Sequence, residues 1–254
     1  MRLIRRLAVT CFAAGAALAS GCGGGGSSSG SPFIPPTPSE AAEGLYNALT
    51  LTNRVVRWLL LGDGRYFIFY TAPGRPDDWV GVIQGSASQS GGSVRSTDAR
   101  DFNLQTRSVQ PAAVSASIDG NQAVSGSLGF GDGSTTTLSG SVDTGSTGST
   151  TTAALAGTYV GLVAAVAGSE AGVLNIDARG QLTGVWFGCL LTGTAVPRTR
   201  SASVDLQLAF ATRPSCPYAG QQWAGAAYLD AGRHRLYAAA PNPARTDLVL
   251  FVGQ

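Results

Sequence analysis

The sequence contains no lysine, only one histidine and few charged residues, and these scarcities argue against several kinds of site. Arginine supplies all 17 positive charges, against 15 acidic residues. The sequence contains no cluster of basic residues that could neutralise phosphates. Nucleic-acid binding is therefore not expected. The single imidazole, His234, lies in a turn between two arginines, and no Gly-x-Ser-x-Gly motif is present. A serine hydrolase would lack a recognisable nucleophile and base.

Clustered metal ligands are also missing from the sequence. There is no Cys-x-x-Cys motif, and Asp63 and Asp132 each offer one carboxylate in an Asp-Gly turn. Calcium needs several oxygen ligands, so these aspartates are interpreted as turn residues. We predict no metal and no cofactor.

The N-terminus has the organisation of an exported leader. Three arginines precede a short apolar run at 7–19, which is too short to cross a bilayer. Residues 18–22 read LASGC and resemble the lipobox of bacterial lipoproteins. This resemblance implies a signal peptide at 1–21 and a lipid on the sulfur of Cys22. Gly23 occupies the place where Asp would signal inner-membrane retention, so the resemblance implies the outer membrane.

A tether follows the expected lipidation site. Residues 22–39 begin with a Gly/Ser run and continue into a Pro-rich stretch. Gly/Ser chains are flexible and Pro-rich chains are stiffer, so this segment is typical of a leash. Without the leader, 14 arginines face 15 acids, and the net charge of the mature chain is −1.

Two cysteines remain once Cys11 leaves with the leader and Cys22 takes the lipid. An even pair in an exported protein is most simply a disulfide. We predict a bond between Cys189 and Cys216.

Short β-prone runs separated by turn residues fill the chain after residue 40, where helical periodicity is nearly absent. Three Asp-Gly pairs, at Asp63, Asp119 and Asp132, lie between such runs and are typical of tight hairpins. One of these hairpins is RVVRWLLLGDGRYFIFYT at 54–71. About fifteen short strands at regular spacing predict an all-β fold of sandwiches or meandering barrels.

An internal sequence repeat divides these strands into two small antiparallel modules, residues 40–142 and 157–254. Gly44 begins a Gly-x-Tyr opening in the first module, and Gly157 begins another in the second. The Gly/Ser/Thr-rich segment 143–156 is predicted to be the linker between them.

In a second part of the repeat, Trp79 corresponds to Trp186, and each is followed by a similar small-residue run. Two β modules on a lipidated leash resemble, in architecture, the transferrin-binding protein B and factor H-binding protein lipoproteins of Gram-negative surfaces. No site motif of either family matches, so the resemblance implies no binding residues.

The stretch VDTGST at 142–147 resembles the catalytic loop of pepsin-like aspartic proteases. That chemistry needs two carboxylates sharing a proton. The nearest second motif, at Asp230, lacks the hydroxyl residue, although a homodimer could supply the partner. Because Asp143 lies in the predicted spacer, we interpret it as a solvated loop residue and predict no catalytic residue. A paired-carboxylate glycosidase stays open, since its two acids need only meet in space.

The hairpin at 54–71 shows no clean alternation, so apolar side chains should emerge on both of its faces. One face would fill the core of its own module, and the other must be covered. We favour burial against the second module over a partner or an apolar ligand. The residues proposed for this surface are Trp58, Leu60, Phe67 and Phe69.

These observations favour a membrane-anchored envelope lipoprotein, in the outer membrane, that acts by non-enzymatic binding. Besides the membrane, its expected partner is an envelope or host protein, or a small apolar ligand. One alternative is a lipocalin-like periplasmic carrier with an apolar cavity. Another is an envelope hydrolase, which requires two carboxylates or a Ser–His pair in one pocket.

Overall fold

The computed structural model describes residues 43–146 and 148–254. The predicted leader at 1–21, the lipidation site Cys22 and the tether at 22–39 lie outside the described residues. None of the helices in the described part of the chain has the length and apolar character needed to cross a membrane.

The first module is an antiparallel barrel. Its strands are β1 (Gly44–Thr50), β2 (Val55–Leu60), β3 (Arg65–Ala72), β4 (Arg75–Ser86), β5 (Ser88–Ser90), β6 (Ser93–Asn103), β7 (Ser108–Ile118), β8 (Ala123–Phe130) and β9 (Thr135–Val142). Consecutive strands pair, except that β4 pairs with β6 instead of the short β5, which is a ninth strand paired to β6. Pairing of β1 with β9 closes the other eight strands into the barrel.

The second module is a closed eight-stranded barrel with the same up-and-down order, in which the first strand pairs with the last. Its strands are β10 (Gly157–Ala165), β11 (Gly168–Ile176), β12 (Gln181–Trp186), β13 (Cys189–Pro197), β14 (Ser203–Phe210), β15 (Gln222–Asp230), β16 (Arg235–Pro241) and β17 (Leu248–Gly253). The prediction of an all-β fold with two small antiparallel modules is confirmed, and both modules are barrels rather than sandwiches.

The three Asp-Gly pairs form hairpin turns, as predicted. They connect β2 to β3, β7 to β8 and β8 to β9. Gly64 and Gly133 have positive φ angles of 84° and 83°, which glycine adopts without the cost of a Cβ clash. In the middle turn, Asp119 Oδ1 accepts hydrogen bonds from the backbone N–H groups of Asn121 and Ala123, each at 2.9 Å.

The segment between the barrels contains two short helices. A 3-10 helix spans Thr144–Ser146 and an α-helix, α1, spans Thr152–Leu155. The side chain of Leu155 is fully buried in the interior of the second barrel. The backbone carbonyl of Leu155 accepts a hydrogen bond from the Tyr159 hydroxyl at 2.9 Å. This anchor ties the connecting segment to the barrel that follows it.

The interior of the second barrel is filled by large side chains. Trp186 stacks on Phe251 at 5.5 Å between ring centroids, and Trp223 lies against neighbouring aromatic rings. The predicted disulfide between Cys189 and Cys216 is present. It joins the start of β13 to the long loop between β14 and β15.

The two barrels pack against each other through a shared apolar cluster. Phe69 of β3 lies 5.9 Å from Tyr228 and 6.2 Å from Tyr237, measured between ring centroids. Strands β2 and β3 are therefore buried on both faces, in contrast to β7, which alternates between buried and exposed residues. The cluster contains Leu45, Leu59, Leu61, Phe67, Phe69, Trp79, Val82, Phe102 and Leu104 from the first barrel, and Ala164, Ala226, Tyr228, Tyr237, Ala239, Leu248, Leu250 and Val252 from the second.

An ion-pair network borders this cluster. Arg198 Nη2 lies 2.6 Å from Asp63 Oδ2, and Arg65 Nη2 lies 2.8 Å from Asp205 Oδ1. Burial raises the pKa of Asp63, but hydrogen bonds from Arg65 and Arg198 outweigh it and lower this pKa to about 2. Two further pairs also cross between the barrels, Arg235–Asp77 and Arg245–Asp98.

The structure corrects the second part of the internal repeat, the equivalence of Trp79 and Trp186. Trp79 lies on β4 and faces outward into the inter-barrel cluster, 5.0 Å from the ring of Tyr237. Trp186 lies at the end of β12 and faces the interior of its own barrel. The two tryptophans are therefore not equivalent, because a similar local sequence does not determine which face of a barrel strand a residue occupies.

Candidate functional site

A pocket of about 320 Å³ opens at one end of the first barrel. This is the end where β1 meets β2, β6 meets β7 and β8 meets β9, so the hairpin turns form its rim. The lining residues are Thr50, Thr52, Arg54, Val56, Ile68, Tyr70, Ile83, Asp101, Asn103, Gln110, Leu128, Phe130, Asp132, Ser134, Thr135 and Thr136. Small-molecule sites in proteins are concave and start at about this volume.

The floor of the pocket is apolar. Val56, Ile68, Ile83 and Leu128 all belong to the buried core of the first barrel and also line the pocket. They come from four different strands, and alternation along each strand turns them inward. An apolar end of a ligand would rest on this floor.

A buried carboxylate stands at the side of the pocket. Asp101 is only 3% exposed, yet it lines the cavity. Tyr70 donates its hydroxyl hydrogen to Asp101 Oδ1 at 2.7 Å, and Gln110 donates from Nε2 to Oδ2 at 3.2 Å. Burial raises the pKa of Asp101, because desolvation disfavours the charged form more than these hydrogen bonds favour it.

Arg54 places a positive charge on the wall of the same pocket. Its guanidinium lies 5.3 Å from the centroid of the Tyr70 ring, within the range of a cation–π contact. Its Nη1 donates to the carbonyl oxygen of Thr71 at 2.8 Å. The guanidinium is thus held by the barrel wall, while its charge partly offsets that of Asp101.

A second carboxylate, that of Asp132, lies on the rim. Its Oδ1 accepts the Ser134 backbone N–H at 2.9 Å and the Ser134 hydroxyl at 2.6 Å. These hydrogen bonds lower the pKa of Asp132. The pocket therefore contains one buried acid whose pKa is raised and one exposed acid whose pKa is lowered.

A much smaller void lies in the interior of the second barrel, within residues 157–254. The void among its core side chains is about 10 Å³, which is about the room that one water molecule needs. Trp186, Trp223 and Phe251 are among the large side chains packed in that interior.

The four residues proposed for the apolar surface lie on two different faces of their hairpin. Phe67 and Phe69 belong to the cluster between the barrels, whereas Trp58 and Leu60 fill the interior of the first barrel. None of the four lines the pocket.

The aspartates of the protease-like motif serve local turns. Asp143 Oδ1 accepts the Gly145 N–H at 3.1 Å, and its Oδ2 accepts the Ser146 hydroxyl at 3.3 Å. Asp230 Oδ1 accepts the Arg233 N–H at 3.2 Å in the turn after β15. His234 follows in the same turn, is exposed and has a positive φ of 49°.

The two aspartates considered for calcium have other roles. Asp63 belongs to the ion-pair network between the barrels, and Asp132 belongs to the pocket rim. Within residues 43–146 and 148–254, no group of three or more His, Cys, Asp or Glu side chains is placed to hold a metal ion.

A row of exposed apolar side chains crosses the outer surface of the second barrel. Val160 pairs with Val173, Val173 with Val185, and Val185 with Leu190 in the strand registers. Their exposed fractions lie between 37% and 56%. An apolar row by itself specifies no particular partner, whereas the pocket residues define a ligand chemistry.

Sequence reasoning did not find the pocket. Asp101, Gln110 and Asp132 are separated along the chain and meet only when the barrel closes. No local signal in the sequence marks these three residues as a site. Comparison with known proteins adds no template for the site, because no family model, no curated protein and no solved structure matches the chain.

Proposed function

We propose that this chain is an outer-membrane lipoprotein, anchored through Cys22, that binds a small molecule in the mouth of its first barrel. The pocket beside Asp101 is the observation that carries the proposal. It combines an apolar floor with a few convergent polar groups, which is the usual composition of a ligand site. The leader sequence supports the anchor, and the all-β body supports a tethered binding protein.

The anchor is tested by cell fractionation. In the Cys22→Ala variant, the protein should leave the membrane fraction, because the acylated sulfur is absent and a bare chain has no buried lipid to hold it. The matched control is Cys11→Ala, which removes a thiol of the leader and should leave anchoring unchanged. A Cys22→Ala protein that still requires detergent for extraction would contradict the lipid anchor.

Binding in the pocket is tested with two tryptophan substitutions on β9. Thr136→Trp places an indole in the pocket mouth, while Thr137→Trp places the same group on the exposed outer face. The Cys22→Ala protein would be incubated with a small-molecule extract of the cell envelope and examined by native mass spectrometry. The bound mass should persist in Thr137→Trp and disappear in Thr136→Trp; retention in both variants would place the ligand elsewhere.

A hydrolase is the second candidate, and the opposite pKa shifts of Asp101 and Asp132 favour it. Glycosidases use one carboxyl group with a raised pKa as acid and a second, ionised carboxylate. Binding is preferred because protein donors already engage both oxygens of Asp101. Turnover of chromogenic glycosides that is lost in both Asp101→Asn and Asp132→Asn would support the hydrolase, and inert wild-type protein would rule against it.

A further inference from the structure

We infer that the pocket selects a cationic amphiphile, a molecule with a protonated amine or guanidinium group on a short apolar chain. The inference rests on the proposed function and adds the chemical class of the ligand. In this arrangement the cation lies against Asp101 and the chain lies on the apolar floor.

The hydrogen-bonding state of Asp101 is the first step of the argument. An ionised carboxylate has about four acceptor positions. Tyr70 and Gln110 occupy two of them, and both are neutral donors. A carboxylate that is 3% exposed is costly unless it is paired, so the remaining positions favour a charged donor. A ligand cation in the pocket would supply it.

The balance of charge around the cavity is the second step. The ionisable side chains in the lining are Arg54, Tyr70, Asp101 and Asp132. With Tyr70 neutral, two negative charges face one positive charge. The guanidinium of Arg54 is already held on the Tyr70 ring and the Thr71 carbonyl. A ligand anion would meet two carboxylates and one engaged arginine, whereas a cation would be attracted by the net negative charge.

The shape and size of the cavity are the third step. Val56, Ile68, Ile83 and Leu128 offer no hydrogen-bonding side chain at the floor, so the inner part of a ligand must be apolar. A volume of about 320 Å³ admits a small ligand rather than a long lipid chain. Asp101 on β6 is the cross-strand neighbour of Ile83 on β4, so a bound cation and the apolar chain attached to it would lie side by side in the cavity.

The inference is tested with three probes of equal chain length. Hexylamine, hexanol and hexanoate would be titrated at pH 7 into the Cys22→Ala protein, and binding would be followed by NMR shifts of backbone amides on β7 and β9 around the pocket. Hexylamine should bind at least about tenfold more tightly than either other probe, a ratio that corresponds to about 1.4 kcal/mol. Equal affinities, or a preference for hexanoate, would overturn the inference while leaving a functional pocket.

The Asp101→Asn variant tests whether Asp101 is the group that binds the cation. Asparagine has the shape of aspartate, and rotation of the Gln110 amide can restore both hydrogen bonds, so the fold should be retained. The preference for hexylamine should fall to about threefold or less, and an unchanged preference would overturn the role of Asp101. If that variant does not fold, the rank order in the wild-type pocket still decides the ligand class, and Asp132→Asn should reduce the preference about twofold.

Failure of the site and failure of the ligand class give different results. Thr136→Trp should abolish the shifts caused by every probe, and Thr137→Trp should preserve them. If none of the three probes shifts the pocket amides of the protein, both the pocket function and the ligand class are overturned. If hexanol or hexanoate binds there most tightly, only the ligand class is overturned.

Discussion

Asp101 shows how a single buried charge can be kept in a β-barrel. Its two hydrogen bonds come from Tyr70 and Gln110, and Arg54 lies near enough to lower its pKa in part. Burial nevertheless raises the pKa from the ordinary value of 3.8. The ionised residue therefore reduces the stability of the fold.

The first prediction concerns Asp101→Asn and pH. Because the folded-state pKa is raised, the folded protein holds this proton more tightly than the unfolded chain. The contribution of Asp101 to stability is largest below its ordinary pKa and is lost as the pH rises through the folded-state value. Asparagine does not titrate, so the variant should gain free energy of unfolding relative to wild type as the pH rises from the ordinary pKa of 3.8 through the raised folded-state pKa.

Urea unfolding curves at several pH values measure this difference. Asp132→Asn is the control, since Asp132 is exposed and its pKa shift has the opposite direction. A variant whose stability relative to wild type falls with rising pH would show that Asp101 is not penalised by burial.

Nothing near Asp101 in the sequence distinguishes it from other acids. Asp98 lies three residues earlier on the same strand, where it forms an ion pair with Arg245. A bulge between Ser96 and Ala99 shifts the register of β6, so alternation counted along the sequence does not assign the inward face. The pocket could therefore be identified only from the order of the strands in the folded barrel.

At the scale of strands, the hairpins are the part that could be read from the sequence. Asp63-Gly64 and Asp132-Gly133 give tight turns because glycine adopts the positive φ that those turns require. These local rules predict which strands are neighbours. They do not predict that β4 skips the short β5 to pair with β6, because that pairing depends on closure of the whole barrel.

The second prediction compares two glycines in neighbouring strands of the first barrel. A Cβ on Gly140 of β9 would collide with the backbone of Asn47 and Ala48 on β1, whereas a Cβ on Gly129 of β8 would meet nothing within 4 Å. Gly140→Ala should lower the free energy of unfolding by about 1–3 kcal/mol through overpacking. Gly129→Ala should change it by less than about 0.5 kcal/mol.

Chemical denaturation of the two variants under identical conditions checks this contrast. Equal effects of the two substitutions would mean that the close approach of β9 to β1 does not determine barrel stability.

The third prediction concerns the loop that the disulfide ties to the second barrel. The bond between Cys189 and Cys216 spans 27 residues, and the same loop carries Tyr218, whose ring lies 4.8 Å from that of Trp223. Replacing both cysteines with alanine should lower the free energy of unfolding by about 3–4 kcal/mol, since the unfolded chain regains loop freedom.

Guanidinium unfolding measures the loss, and wild-type protein in reductant should match the double variant. A loss below about 1 kcal/mol in both would show that the packing of Tyr218 holds the loop without the bond.

At the scale of the whole molecule, the two barrels form one folded body because the sequence of β2 and β3 is apolar on both faces. The absence of alternation at 54–71 indicates burial on both sides, and the partner on the outer side is the second barrel. The sequence favoured the second module as this partner, but it did not specify the contacting residues, since Tyr228 and Tyr237 belong to strands that alternate no more distinctively than their neighbours.

The fourth prediction separates the apolar and ionic parts of this interface. Phe69 is fully buried between Tyr228 and Tyr237, so Phe69→Ala should cost about 3–5 kcal/mol. Arg198→Gln removes partners of Asp63 and Asp205 at the partly exposed border, where ion pairs contribute about 1 kcal/mol or less.

Hydrogen exchange with mass spectrometry should show one cooperative opening of both barrels in wild type and in Arg198→Gln, and two separate openings in Phe69→Ala. If Arg198→Gln separates the barrels while Phe69→Ala does not, the ion pairs rather than the aromatic cluster unite them.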